Sequence, residues 1–148
     1  MYCRIYTPGK TIIAYKSDVK EMYFIRQGLV EVYNNENDEI YKDKPIFFLP
    51  HNTYFGDYQI LYGLKSNIVF KTLGQDPNDV QKSGTESMPD IIFMCISKEA
   101  LLDLCELFPY TAENIKRNSL KRRQRFMNEK CKNSRKYNMK TEQEGQTA

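Results

Sequence analysis

The residues best suited to chemistry lie together in Tyr54-Phe55-Gly56-Asp57-Tyr58-Gln59-Ile60-Leu61-Tyr62-Gly63-Leu64-Lys65-Ser66-Asn67. Aromatic residues, a glycine and an acid lead into one short apolar turn, which places unpaired backbone N–H groups at the start of a small helix. Those donors and the positive end of the helix dipole favour an anion such as a phosphate. The competing reading is a hairpin turn that buries Phe55 and runs on into a helical turn, and the segment alone does not separate the two. Elsewhere reactive chemistry is sparse. His51, the sole histidine, follows Pro50 in a turn with no Ser or Cys nearby in a nucleophile context, which suits an exposed loop residue better than a catalytic base. Asp38, Glu39 and Asp43 read as solvated turn residues. Cys3, Cys95, Cys105 and Cys131 show no C-x-x-C spacing, and Cys95 and Cys105 sit in apolar segments, so reduced, buried thiols are expected rather than disulfides or zinc ligands. No enzyme, metal or cofactor is expected.

The 148 residues, 41% of them hydrophobic, suffice for one compact core with a tail. No run approaches the roughly 18–20 apolar residues that cross a bilayer, and Met-Tyr-Cys-Arg-Ile-Tyr lacks the apolar centre of a signal peptide, so a soluble, intracellular chain is expected. The net charge of +3 hides an asymmetry: residues 1–115 hold 11 basic and 16 acidic side chains, residues 116–148 hold 11 and 3. The basic run through Lys116, Arg117, Lys121, Arg122, Arg123, Arg125, Lys130, Lys132, Arg135 and Lys136 reads first as the solvated face of a helix. As a functional surface it suits anionic phospholipid, where each basic residue contributes about 1 kcal/mol. Nucleic acid is not expected, because Phe126 and Tyr137 alone offer rings for base stacking.

These elements need a scaffold. From Arg4 to Thr72 short β segments alternate with turn residues, as in an antiparallel β-barrel or jelly roll. Tyr6-Thr7-Pro8-Gly9-Lys10 is a turn, Thr11–Tyr15 a strand, and Met22–Ile25 a second strand that reverses at Gly28 so that Leu29–Tyr33 pairs back on it, Val30 and Val32 sharing one face. Asn34 to Glu39 is a polar loop, Ile46–Leu49 and Asn67–Leu73 are further strands, and Gly74 to Asp90 is a mobile loop. Ile91–Ile96 is the last strand, Ser97 an N-cap, and the helix that follows is apolar on a broad face (Leu101, Leu102, Leu104, Cys105, Leu107, Phe108) until Pro109. The expected organisation is a β-barrel with its following helix over 1–109, a polar, basic lid helix over 110–137 whose helical core runs from about Thr111 to about Lys136, and a disordered tail over 138–148.

Tyr6-x-Pro-Gly-x-x-Ile12, Glu21-Met22-Tyr23-Phe24-Ile25-x-x-Gly28-x-Val30-x-Val32, Tyr54-Phe55-Gly56-Asp57 and the Phe108-Pro109 break, in that order, resemble the cyclic nucleotide-binding domain superfamily over roughly residues 4 to 135. Within it the wording is most similar to the cytoplasmic C-terminal domain of voltage-gated or cyclic-nucleotide-gated potassium channels. The resemblance implies a phosphate-binding cassette: Phe55 and Gly56 at its entrance, Gly56 as the close-approach glycine, Asp57 in place of the usual glutamate for the ribose hydroxyl, and Tyr58 and Gln59 as backbone donors. Counting onward without a gap, the family's phosphate-binding arginine falls on Ser66, followed by Asn67. Lys65 is adjacent but points to the opposite face of a starting strand, so it does not replace a bidentate guanidinium. Losing a charge-assisted bond of about 1.5–3 kcal/mol weakens binding by roughly one to two decades. Ser17 likewise stands where the family shows Gly before Asp18, in a turn rather than in the pocket.

The leading expectation is therefore a regulatory domain of a potassium or cation channel whose degenerate cassette binds cyclic nucleotide weakly or not at all. Its implied partners are a transmembrane pore and linker, neighbouring subunits, and anionic lipid reached through the outward-facing lid arginines Arg122, Arg123 and Arg125. Its implied place is the cytoplasmic side of a membrane. The alternatives are a working sensor of cAMP or cGMP and a free-standing adaptor.

Overall fold

The computed structural model describes residues 1–34, 44–74 and 89–146, with only the helical backbone described at 130 and 133–146. The carboxylates Asp38, Glu39 and Asp43, and most of the two loops expected at 34–39 and 74–90, lie outside the described residues.

Among the described residues there are eight strands: β1 (Tyr2–Tyr6), β2 (Thr11–Ile13), β3 (Glu21–Gln27), β4 (Val30–Tyr33), β5 (Phe47–Leu49), β6 (Tyr54–Phe55), β7 (Val69–Thr72) and β8 (Ile91–Ser97). They form two four-stranded sheets, ordered β1-β8-β3-β6 and β2-β7-β4-β5, with every pairing antiparallel. Among the described residues no strand of one sheet pairs with a strand of the other, so the expected barrel is two facing sheets rather than a closed ring.

The reversal expected at Gly28 is real, but its consequence differs. β3 pairs with β8 and β6, and β4 with β5 and β7, so β3 and β4 are not a hairpin. Gly28, at φ 99°, turns the chain from one sheet to the other, and a Cβ there would lie 2.7 Å from Ile91 Cγ1. Glycine supplies both the positive φ and the clearance. β1 extends back to Tyr2 and includes Tyr6, which reads in the sequence as part of a turn. It is an edge strand on β8, with most of its residues exposed.

Alternation places the core. Val30 and Val32 are fully buried while Glu31 and Tyr33 are half-buried, and Ile91, Phe93 and Cys95 alternate in the same way. An aromatic column joins the sheets: Phe55 stacks at 5.0 Å on Tyr23 of one sheet and at 4.6 Å on Phe70 of the other, with Phe93 edge-on at 5.8 Å. The Cys95 thiol, buried in that core, is pushed up to about 11 by loss of hydration.

Three helices are found among the described residues: α1 (Asp57–Tyr62), α2 (Lys98–Leu107) and α3 (Pro109–Gln146). Ser97 caps α2, its Oγ accepting from Ala100 N–H at 3.2 Å. Phe108 is non-helical at φ −129°, ψ 72°, as steric clash before a proline requires, and Pro109 opens α3 where its missing N–H is harmless. Of α2's broad apolar face only Leu101 is buried; Leu102, Leu104, Leu107 and Phe108 are exposed. α3 continues through the segment expected to be a disordered tail, as far as Gln146. No proline follows Pro109, the only later glycine is Gly145, and Lys, Glu, Gln and Met sustain helix.

Candidate functional site

The segment from Tyr54 to Tyr62 forms β6, a glycine and α1. Gly56 joins strand to helix at φ 90°, ψ −13°. A Cβ on it would stand 2.7 Å from the Glu21 carbonyl oxygen and 3.4 Å from Met22 Cα. The close approach on that side is thus to the backbone of β3, and a folding requirement accounts for the glycine there. Phe55, expected at the ligand, is instead the middle ring of the core column and is 1% exposed.

Asp57 begins α1 and is buried. Its carboxylate is taken by Arg122 of α3, whose Nη1 donates to Oδ2 at 3.1 Å and to Oδ1 at 3.2 Å. Nη2 of the same guanidinium donates to the Tyr54 carbonyl, and its plane lies over the Tyr54 ring, 3.8 Å from the centroid. Charge pairing, a carbonyl acceptor and ring stacking use the features that distinguish arginine from lysine.

Arg123 enters beside it. Its Nη2 donates to Asn67 Oδ1, and its guanidinium lies 5.2 Å from the Tyr58 ring centroid. Burial lowers its pKa, because loss of water disfavours the charged form, although an arginine keeps its proton. Its Nη1 has no hydrogen-bond partner among the described residues, and neither has Ser119 Oγ, one helical turn earlier. Both residues line a cavity of about 10 Å³ bounded also by Asp57, Phe70 and Phe126, space for one water at most.

The helix can deliver these groups because its inward stripe is Ala112, Ile115, Ser119, Arg122, Arg123 and Phe126, spaced by three and four residues. Phe126 stacks at 4.6 Å on Phe47 of β5, and Tyr62 of α1 donates to the Lys116 carbonyl at 3.1 Å, fastening the helix on both sides of the cavity. Arg122 and Arg123 therefore face inward, contrary to the expected outward, lipid-facing set. Arg125 alone of the three is exposed. Hydropathy conceals this stripe, since half of it is polar; its three-and-four spacing from Ile115 to Phe126 was the available signal.

The remaining residues expected at the site divide. Ser66 is 1% exposed, its Oγ donating to the Ile68 carbonyl at 2.6 Å, while its backbone pairs with Lys16 and Ser17. The Ser66 side chain is thus buried and hydrogen-bonded within the chain. Lys65 is exposed and Ser66 buried, but both precede β7, which begins at Val69 rather than at the expected Asn67, so strand alternation is not the reason. Gln59 is buried and Tyr58 half-buried beneath Arg123. Tyr54 and Ser119, absent from the residues expected at the site, belong to it. His51 lies exposed in the turn between β5 and β6. Among the described residues no group of three His, Cys, Asp or Glu side chains is placed to hold a metal, and no helix is long and apolar enough to cross a membrane.

No protein-family model matches this chain, and no curated protein matches it.

Proposed function

We propose that this chain is a cyclic nucleotide-binding-homology module of the kind that regulates a potassium or cation channel, with its cassette held shut by its own C-terminal helix. The strand pairing β1–β8, β2–β7, β3–β6 and β4–β5 is that of an eight-stranded jelly roll, which supports the resemblance at the level of fold. The observation that carries the functional reading is the Arg122–Asp57 pair: the acid assigned to the ribose hydroxyl is occupied from within the chain. Ser66 supplies no cation, Arg123 covers Tyr58, and the enclosed space is far below the hundreds of Å³ of a small-molecule pocket. The module then acts through contacts rather than through ligand, and the exposed Leu104, Leu107, Phe108 and Tyr110 around the α2–α3 joint suit a linker or a neighbouring subunit. Anionic lipid, if bound on the cytoplasmic side of a membrane, meets Arg117, Lys121, Arg125 and Lys132, which are exposed basic residues of α3 among those whose side chains are described.

Calorimetric titration of the whole chain with cAMP and with cGMP tests the reading. The expected dissociation constants are weaker than about 100 µM, with no rise in melting temperature at lower concentrations. Micromolar binding of either nucleotide overturns it in favour of a working sensor.

A further inference from the structure

A second cavity lies on the face of the β1-β8-β3-β6 sheet that turns away from the core. Tyr23 and Ile25 of β3 and Phe93 and Cys95 of β8 are buried in the core, so alternation puts Phe24 and Met94 on the outer face. The ladder sets these two directly opposite each other, and both are half-buried. With Met1, Arg26, Asn52 and Thr53 they line a cavity of about 320 Å³. That volume is in the range that small organic ligands occupy. None of its lining residues borders the cavity under α3.

Two backbone irregularities meet at its polar side. The register of β3 on β8 shifts between Ile25 and Gln27, which makes Arg26 the extra residue of a bulge, a device that re-aims a side chain. Asn52 holds φ 66°, and its N–H donates to the Ile25 carbonyl at 2.8 Å while the Thr53 carbonyl accepts from the Ile25 N–H at 2.9 Å. The Thr53 hydroxyl is already used, donating to the Pro50 carbonyl at 2.6 Å. The free polar groups are the exposed Arg26 guanidinium and Asn52 carboxamide, neither of which hydrogen-bonds or ion-pairs to another described residue.

We propose that this cavity binds a small organic acid, with an aromatic ring against Phe24 and the Met94 thioether and a single carboxylate on Arg26 and Asn52. Rings and thioether sulfur both attract an aromatic group. A planar guanidinium offers a carboxylate two parallel N–H donors, and the Asn52 amide supplies a third. One unpaired cation matches one negative charge, so a phosphate monoester, with a charge of about −2, is matched less well. The site does not rest on the cyclic nucleotide reading, because it shares no residue with the segment from Tyr54 to Asn67.

Methionine-methyl NMR of the whole chain, titrated with naphthoate and with the neutral naphthylmethanol, tests this. Naphthoate should move the Met94 resonance saturably with a dissociation constant of about 1 mM or tighter, and leave Met127, which lines no part of the cavity, unmoved. The alcohol should bind about tenfold more weakly. Arg26→Gln, made at an exposed side chain, should bring naphthoate down to the affinity of the alcohol. No saturable Met94 shift up to about 10 mM naphthoate overturns the site. Equal affinity for the two probes, or a carboxylate preference that survives Arg26→Gln, overturns the acid-binding proposal. If Arg26→Gln does not fold, the comparison of the two probes on the unaltered chain decides.

Discussion

Helices α2 and α3 exchange the roles their compositions suggest. α2 carries five leucine and cysteine side chains in ten residues yet buries only Leu101 fully, while Leu104 stands 45% and Leu107 71% exposed. α3 is mostly polar, yet it lays Ser119, Arg122, Arg123 and Phe126 against the β6–α1 segment. What separates them is the partner surface. α2 has the end of β8 and the first turns of α3 to pack on, whereas α3 crosses a groove whose floor contains a buried carboxylate, a carbonyl and two aromatic faces, which arginine can satisfy and leucine cannot. Burial here follows complementarity with the opposing surface, and side-chain hydropathy is a poor guide to it.

The largest effect is expected where that complementarity is broken from one side. Asp57→Ala leaves Arg122 buried without its counter-charge and should destabilise the chain by about 3–4 kcal/mol, read as a lower urea midpoint. Pairing it with Arg122→Met should recover most of the loss, since removing both charges leaves neither stranded. If Asp57→Ala costs less than about 1 kcal/mol, α3 is not held by this pair and the contrast between the helices fails at its centre. Gly56→Ala should cost about 2–3 kcal/mol through positive φ and collision with the Glu21 carbonyl, whatever ligand is present.

That second effect bears on what a sequence reveals. The Phe-Gly-Asp wording marks the segment, but the glycine's clearance is to β3, thirty-five residues earlier in the chain at Glu21, and no local pattern reports that distance. Strands β3, β4, β7 and β8 are legible because alternation and β-branched residues are local properties. Their partners are not: the short link at Gly28 reads as a hairpin, while the pairing of β3 with β8 joins Glu21 to Ser97. The helix break is legible because Pro109 acts on its own neighbours. The inward arginines are not, because a charged residue at a helical spacing reads as a solvated face until the buried acid opposite is known.

A smaller effect is expected at the ion pair on the other side of β3. Arg4 Nε donates to Glu21 Oε2 at 2.8 Å, but the Arg4 side chain is 46% exposed. Burial opposes ionisation of Glu21, yet hydrogen bonds from Arg4 and the neighbouring tyrosines outweigh it and hold the carboxyl below its usual range. A depressed carboxyl pKa contributes stability that is present above the unfolded value of about 4.3 and is lost as pH falls through the folded value. Solvent screening keeps the contribution under about 1 kcal/mol. Arg4→Met should therefore flatten the acid limb of a stability-against-pH curve and leave neutral stability little changed. A loss as large as that of Asp57→Ala would show that burial does not grade the two pairs.

The smallest effect belongs to α2. Leu107 and Phe108 stand 71% and 58% exposed, so Leu107→Ser and Phe108→Ser remove little packed surface and should alter unfolding free energy by no more than about 0.5 kcal/mol. Both replacements stay outside the cavity, and the polar side chains gain water that the apolar ones exclude. Chemical denaturation at two protein concentrations is the measurement. A loss above about 1.5 kcal/mol that is independent of concentration would mean that α2's outer face is packed within the chain, and the contrast with α3 would collapse. A loss that appears only at the higher concentration would instead show that this face is covered by a second copy, locating an interface at the α2–α3 joint.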